Sequence, residues 1–596
     1  MNLKSKKIIL LALLSFVGLR AATPSPSTFG VSAYYENWAN FRGYLNLNGT
    51  VNSQGSTGKS WSRGVFPSCI PSGFSKIASN LQVLNYAFWF FNIDVSQGSP
   101  GTVTNQWNVL STEQSDFVSW AGAVANQAAD LKQYNRNLKV MVSVGGWSFV
   151  DPSSYGATTA TFFTQLLSDS SKQTLFIDSL TNPKTGWFFA KTPSGNWLFD
   201  GIDVDYEYPG QLKLGNSSTV NNPNAASDYQ GFINFIGALR SAINTINASG
   251  SRPGAPLYLS ITLPPFMPSD LANGTSDPGT YPSGTVYAGE DYPEVDIYNT
   301  NPSTYAAWYS IVANHCDWVN LMAYDMYGAG FSNGKVMYQA PLYNTNAAPY
   351  DFTIQPDNSA NGAYSVDYAV NLWITGAKSG VTPSTYIGVP STNLILGLPS
   401  YGRGYGSTST VFNNNPIGQS YQTDGTCWVP FQTPVQSSTN PLSTLGSRPQ
   451  PYTGQTGTAA YFELKNLSGS ILRNSLYTTP TASLGTDPNY AQSFFVANNS
   501  NASFDPPSNN VKQLPPNNVW VFDSTDNIAD KVNYAKSYRL GGVVFYPISM
   551  DNFPMNAAAS TGYDPTYTLF QQAVNTINKP SFSSFNGNTL TNTTAN

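Results

Sequence analysis

Eight short β-rich runs, often followed by an amphipathic stretch, predict an α/β fold in which parallel βα units close into a (β/α)8 barrel. The runs span 30–35, 81–88, 138–144, 198–206, 257–263, 318–324, 394–398 and 542–546. Most begin roughly 50 to 80 residues apart, which leaves room for a strand, a helix and their loops. The last gap, from 398 to 542, is far longer. A structureless loop of that length does not suit a compact domain. The gap is therefore expected to hold an inserted small α+β domain over 406–515, rich in Tyr, Pro, Asn and Thr.

Ahead of the first strand, Lys4, Lys6 and Lys7 precede an apolar run from Ile8 to Leu14, and Ala21, Ala22 and Thr23 follow. This order predicts a cleaved secretory signal over 1–22. The apolar run is short for a membrane-spanning helix. The mature chain is expected to be secreted, extracellular or periplasmic, and free of the membrane. Strands one to seven then fall in 25–405 and strand eight in 516–578, and the Ser/Asn/Thr-rich tail 579–596 is expected to be disordered. Among the helices, the clearest follows strand four. Tyr229, Phe232, Ile233, Ile236, Leu239, Ile243 and Ile246 recur at helical spacing and form one apolar face. Ser227, with Gln230 three residues on, reads as its capping box. Further helices are expected over 117–131 and 528–538, and extra loops over 41–66 and 328–362.

The chain has 596 residues, 41% hydrophobic, 14% aromatic and only 10% charged, a composition that excludes disorder of the whole. Net charge is −5, and no Lys/Arg cluster follows the first seven residues, so no nucleic-acid partner is expected. An aromatic-rich, weakly charged chain suits a neutral ligand such as a carbohydrate. Cys69, Cys316 and Cys427 allow at most one internal disulfide and show no zinc-ligand spacing. His315 is the single histidine, placed at the end of a helix-like segment before an apolar strand. A helix-end or packing role fits it better than a Ser-His-Asp triad. Acid–base chemistry falls to carboxylates and tyrosines.

The strongest local signal is Phe199-Asp200-Gly201-Ile202-Asp203-Val204-Asp205-Tyr206-Glu207-Tyr208-Pro209. Four carboxylates fall within eight residues of a chain that holds 33 acids in all. Strand side chains alternate faces, so Asp203, Asp205 and Glu207 share one face while Ile202, Val204 and Tyr206 share the other. The apolar face suits packing on helices, which turns the acids inward. Close like charges do not all ionise cheaply, so at least one pKa is expected to rise. A raised carboxyl is what a general acid needs near neutral pH. Glu207 comes last, nearest the C-terminal mouth where barrel enzymes work. A calcium site or a solvated acidic loop is the competing reading, and the interleaved Ile and Val fit a loop poorly.

The run 200–207 resembles the D-x-x-D-x-D-x-E signature of the family 18 glycoside hydrolases, the chitinases. Ser143-Val144-Gly145-Gly146-Trp147 is similar to the family's S-x-G-G strand. Met322-Ala323-Tyr324-Asp325 is similar to its M-x-Y-D strand, and Gly397-Leu398-Pro399-Ser400-Tyr401-Gly402-Arg403 to its seventh-strand motif. Tyr34-Tyr35 with Asn37-Trp38, and Tyr86-Ala87-Phe88, resemble strands one and two. The resemblance spans about 29–555 and implies a TIM barrel. It also implies a retaining, substrate-assisted hydrolysis of β-1,4-linked N-acetylglucosamine polymers. In that scheme Glu207 is the acid and base, Asp205 holds the substrate's acetamido group, Asp203 sets the charge on Asp205, and Tyr324 orients the acetamido group. Asp325, Ser143 and Tyr34 match supporting positions, and Met322, Tyr401, Arg403 and Phe88 belong to the matching motifs. Asp200, Gly145 and Gly146 are expected to be structural. The substrate supplies the nucleophile, so no metal or organic cofactor is expected.

The resemblance places Trp147 under a sugar beyond the cleavage point, with Trp38, Trp89 and Trp428 as weaker stacking candidates. The inserted segment, with Tyr461-Phe462-Glu463-Leu464, resembles the α+β insertion that walls the cleft in many chitinases. One departure concerns strand eight: the family usually carries a tryptophan under the sugar at the cleavage subsite, and Tyr546 stands there, with Asp551 and Phe553 matching nearby. The expected partner is chitin or its oligosaccharides, bound by a monomer. Two alternatives stay open: a non-hydrolytic chitin-binding lectin on the same fold, and an endo-β-N-acetylglucosaminidase acting on N-glycans.

Overall fold

The computed structural model describes residues 29–36, 75–89, 91, 124–210, 214–215, 220–265, 315–328, 335–343, 365–375, 389–407, 411–413, 416–421, 457–461, 464, 481–487, 492–498, 517–551 and 569–578. Seven parallel strands come first: β1 (Gly30–Glu36), β2 (Leu81–Trp89), β3 (Lys139–Gly145), β4 (Gly201–Asp205), β5 (Tyr258–Leu263), β6 (Trp318–Leu321) and β7 (Leu394–Pro399). Five more follow: β8 (Tyr401–Ser407), β9 (Thr458–Ala460), β10 (Thr481–Asp487), β11 (Gln492–Asn498) and β12 (Asn517–Phe522). The last strand, β13 (Gly542–Tyr546), inserts between β7 and β1 and closes an eight-stranded barrel of order β1-β13-β7-β6-β5-β4-β3-β2. This is the (β/α)8 barrel that the eight runs predict.

Period-two alternation decides what each strand buries. On β4, Ile202 and Val204 point outward and are essentially unexposed. The helix Ala225–Ser249 lines this outer layer with Phe232, Ile236, Leu239 and Ile243, all buried. Each such side chain contributes roughly 1.5–3 kcal/mol on burial. The helix ends where Gly250 takes a left-handed φ of 68°, a conformation open to glycine.

Several element ends differ from the sequence expectation for identifiable reasons. β4 starts at Gly201, not 198, because the Asp200 carboxylate itself accepts the Val140 N–H at 2.9 Å. β6 stops at Leu321, short of 324, where the Ala323 N–H turns back onto the Leu321 carbonyl at 2.8 Å. The helix after β4 begins two residues before Ser227, with Asn224 at its N-cap and no side-chain cap bond. Ser227 instead donates through Oγ to the Asn224 carbonyl, so the expected capping box does not form there. A capping box does form at Ser524 and Asn527, which open the helix Thr525–Ser537. Of the expected helix 117–131, the described part is Val124–Asp130 with a 3-10 turn, Leu131–Gln133.

Between β7 and β13 the chain forms an antiparallel sheet of order β10-β11-β12-β8-β9. Its strands reach from Tyr401 to Phe522, beyond the expected bounds 406–515 at both ends. β8 begins two residues after β7 ends, so no spacer marks the passage. A separate apolar cluster, including Tyr338, Tyr405, Phe412, Val519 and Val521, packs on this sheet. The expected signal 1–22, the tail 579–596, the loop 41–66, Cys69, Cys427 and Phe553 lie outside the described residues, as does most of 328–362. Cys316 is buried and free, and the His315 carbonyl accepts the Arg240 Nε–H at 2.5 Å.

Candidate active site

β4 carries the acids into the barrel interior. Asp203 is fully buried, and four side chains donate to it: Tyr34 Oη and Ser143 Oγ at 2.8 Å, Ser260 Oγ at 2.6 Å and Asn320 Nδ2 at 3.1 Å. Burial raises its carboxyl, and those donors pull it back down. Asp205 lies one layer nearer the mouth and accepts from Thr262 Oγ1. Its carboxyl is pushed well above the usual range, first by burial and then by the charges of Glu207 and Asp203.

Glu207 follows two residues on, half-buried at the C-terminal end of the strand. Its carboxyl is pushed up to about 7, with burial the largest cause and the Asp325 charge adding to it. The Tyr208 side chain and the Trp147 backbone N–H bond to it and oppose that rise. Gly145 and Gly146 make the Trp147 contact possible. A Cβ at Gly145 would lie 2.0 Å from the Asp205 carbonyl oxygen, and one at Gly146 would lie 2.8 Å from the Phe88 ring. Gly146 also holds φ at 80° and donates its N–H to the Asp205 carbonyl at 2.8 Å. The chain after β3 therefore lies directly against β4. The peptide bonds Glu207–Tyr208 and Ala87–Phe88 are both cis.

Aromatic rings surround the carboxylates. Tyr546 lies nearly parallel to Tyr324, with centroids 5.6 Å apart at 13°. Tyr34, Tyr401 and Phe88 stand around Tyr546 at 5.8, 6.4 and 6.4 Å. Burial holds the Tyr324 phenol far above its usual pKa, and Tyr546, Asp205 and Glu207 add to the rise, so it stays a neutral donor. Just past Tyr324, Asp325 adopts a left-handed φ of 54°. Tyr401 Oη donates to Asp325 at 2.7 Å, and Arg403 grips it through Nε at 2.8 Å and Nη2 at 2.7 Å. This two-point grip ties the exit of β6 to β8. Met322 is buried and donates its N–H to the Leu263 carbonyl at 2.8 Å.

The remaining candidates fall elsewhere or lie outside the described residues. Asp200 sits at the opposite end of the barrel, where Lys132 at 2.6 Å and Arg252 at 3.3 Å pair with it. A cavity of about 1210 Å³ opens at that end, lined by Ser32, Lys139, Asp200 and Trp318 among others. The inward acids Asp203, Asp205 and Glu207 do not line it, so chemistry and not cavity size locates the site. Trp89 does not reach the mouth. It is buried, edge-on to Trp187 at 4.8 Å and Phe199 at 5.2 Å, on the outer face of β2. Trp147 is half-buried at the mouth, while Trp38 and Trp428 lie outside the described residues.

Sequence reading missed Ser260, Thr262, Asn320 and Tyr208. A signal for the first two existed: along Tyr258–Leu263 the hydroxyls alternate with Leu259, Ile261 and Leu263, so Ser260 and Thr262 share the inward face. It also missed Glu36, which is buried on β1 and accepts from Ser549 Oγ at 3.2 Å.

A closed parallel barrel with stacked carboxylates at its C-terminal mouth defines a class of barrel with an acid–base centre. The chain belongs to the glycosyl hydrolases family 18, whose model matches residues 33–551. It is 23% identical over 473 residues to a probable endochitinase of Caenorhabditis elegans, covering 79% of this chain and 53% of that protein. It is 24% identical over 452 residues to chitotriosidase-1 of Mus musculus, covering 76% and 66% respectively. The chain thus spans about half to two-thirds of the length of these relatives. The same fold appears in a chitinase from Trichuris suis, with TM-score 0.52, 18% identity and coverage of 92% and 98%. A Group II chitinase catalytic domain of Ostrinia furnacalis matches with TM-score 0.53, 17% identity and coverage of 92% and 96%.

Proposed function

We propose that this chain hydrolyses β-1,4-linked N-acetylglucosamine polymers with retention, the substrate's acetamido group acting as nucleophile. The observation that carries this reading is the placement of half-buried Glu207 at the barrel mouth, two residues beyond the deeply buried Asp205 that ends β4, where burial pushes its carboxyl up to about 7. Protonated Glu207 gives its proton to the glycosidic oxygen as the C1–O bond breaks. The acetamido carbonyl oxygen attacks C1 and closes an oxazolinium ion. Asp205 accepts a hydrogen bond from the acetamido N–H and stabilises the positive charge. The neutral Tyr324 hydroxyl donates toward the carbonyl oxygen and orients it. Glu207, now a carboxylate, takes a proton from water, whose oxygen attacks C1 and reopens the ring from the face the leaving group left. Two inversions give net retention.

Asp203 receives four donors and shares the interior with Asp205, so a proton between them adjusts the charge presented to the intermediate. Tyr546 supplies an aromatic face below the reacting sugar, smaller than an indole. The relatives named as endochitinase and chitotriosidase support the substrate class. The mature protein is read as a secreted monomer. Among the described residues no helix is long and apolar enough to cross a membrane.

The test is digestion of chitin oligomers of several lengths by the wild type and by Glu207→Gln, with products resolved and binding followed in parallel. The expected result is cleavage by the wild type and a loss of about 10² to 10⁴ in rate for the variant. Binding without cleavage by either protein would establish the lectin, and cleavage confined to a glycoprotein N-glycan would establish the endo-β-N-acetylglucosaminidase.

A further inference from the structure

Behind β4, on the face away from the substrate, lies a buried carboxylate that the mechanism does not use. Asp228 sits in the first turn of the helix Ala225–Ser249 and is 1% exposed. Its Oδ2 accepts Tyr206 Oη at 2.6 Å and Asn222 Nδ2 at 2.7 Å, and the Gly210 N–H approaches at 3.5 Å. Its Oδ1 accepts Thr164 Oγ1 at 2.6 Å. Tyr206 is clamped a second time, its ring stacked on Phe163 at 4.6 Å and 15°.

Tyr206 immediately precedes Glu207, and Gly210 follows it by three residues. One carboxylate therefore takes hydrogen bonds from both sides of the segment that carries the acid. Just past the end of β4, the Tyr206 ring lies against Phe163 and Phe232 of the outer helical layer, so a tether on that side bears directly on the residue that follows it, Glu207. Hydrogen bonds to a charged acceptor are short and directional, which suits a positioning role.

We propose that Asp228, acting through the Tyr206 hydroxyl, is a positioning residue that holds Glu207 at the bond to be broken. This rests on the reading of Glu207 as the acid. Displacing a catalytic group by about 1 Å costs on the order of 10²-fold in rate. Burial is the largest cause that raises the Glu207 carboxyl, so a Glu207 displaced toward water is expected to ionise at lower pH.

The experiment compares wild type, Tyr206→Phe, Tyr206→Trp and Glu207→Gln on chitin oligomers, measuring kcat, KM, the pH profile and thermal unfolding. Tyr206→Phe is expected to unfold cooperatively, keep KM within about threefold, lose roughly 10- to 100-fold in kcat, and move the alkaline limb of kcat/KM to lower pH. Tyr206→Trp returns an N–H donor at the far edge of the ring and is expected to recover part of that loss. A folded Tyr206→Phe with kcat within twofold of wild type overturns the proposal, as does a loss confined to KM. If Tyr206→Phe does not fold, Asp228→Asn carries the same thresholds, and failure of both to fold assigns the pair to folding alone and overturns positioning. The underlying reading fails separately: Glu207→Gln at wild-type rate removes the acid whatever Tyr206→Phe does.

Discussion

At Glu207 burial outweighs charge. Withdrawal from water is the largest cause of its rise to about 7, and repulsion from Asp325 comes last among the named causes. Like-charge repulsion within the ladder falls mainly on Asp205, and there too it ranks behind burial. Spacing alone made repulsion the expected cause, because a one-dimensional pattern shows which charges are neighbours but not how much water reaches them. The raised value keeps Glu207 protonated through the acid range, leaves about half of it protonated near neutrality, and the donor form is lost above that. The kcat/KM profile is therefore expected to fall about tenfold per pH unit above a limb near 7; a rate still flat at pH 9 would remove Glu207 as the proton donor. The acids themselves were legible because carboxylates are scarce in this chain and recur at period two. Of their donors, Ser260 and Thr262 carried the same period-two signal on β5, whereas Asn320 stood out less, since Asn fills the loops as well as the barrel.

Element interiors read clearly and element ends did not. The apolar face of the helix Ala225–Ser249 is visible as a period, but its start depends on Asn224, whose side chain makes no cap bond. β4 is trimmed by the Asp200 side chain acting on a neighbouring strand, a long-range contact that propensity does not contain. The same holds for the buried pair that joins the helix Thr525–Ser537 to the antiparallel sheet. Lys531 Nζ reaches both Asp523 oxygens at 2.8 and 2.7 Å, both side chains are fully buried, and Gln492 of β11 also donates to Asp523. Removing one partner of such a pair leaves an uncompensated buried charge. Lys531→Met is expected to cost roughly 3–5 kcal/mol in denaturant unfolding, and adding Asp523→Asn to recover part of it. A single variant within about 0.5 kcal/mol of wild type would show that the pair is not what couples helix to sheet.

Across the whole molecule, counting βα units was enough to predict closure, because eight parallel strands have few other ways to bury both faces. The second sheet was harder to place. Its first strand starts two residues after β7, so Tyr401 and Arg403 read as a continuation of a barrel motif. They instead belong to β8, an inner strand through which the second sheet meets the site at Asp325. The molecule thus presents a barrel whose stacked acids come from β4 and the residues just past it, whose phenols come from β1, the exit of β6 and β13, and whose rim is braced from the antiparallel sheet. In the proposed mechanism the nucleophile is the substrate's own acetamido group. The most direct measurement compares the rate on a fully acetylated chitin oligomer with that on the same oligomer fully deacetylated. Cleavage of the first is expected, with a rate lower by on the order of 10³-fold or more for the second, since the intramolecular nucleophile is gone. Comparable cleavage of both would mean that a protein side chain attacks the sugar, and would contradict the mechanism.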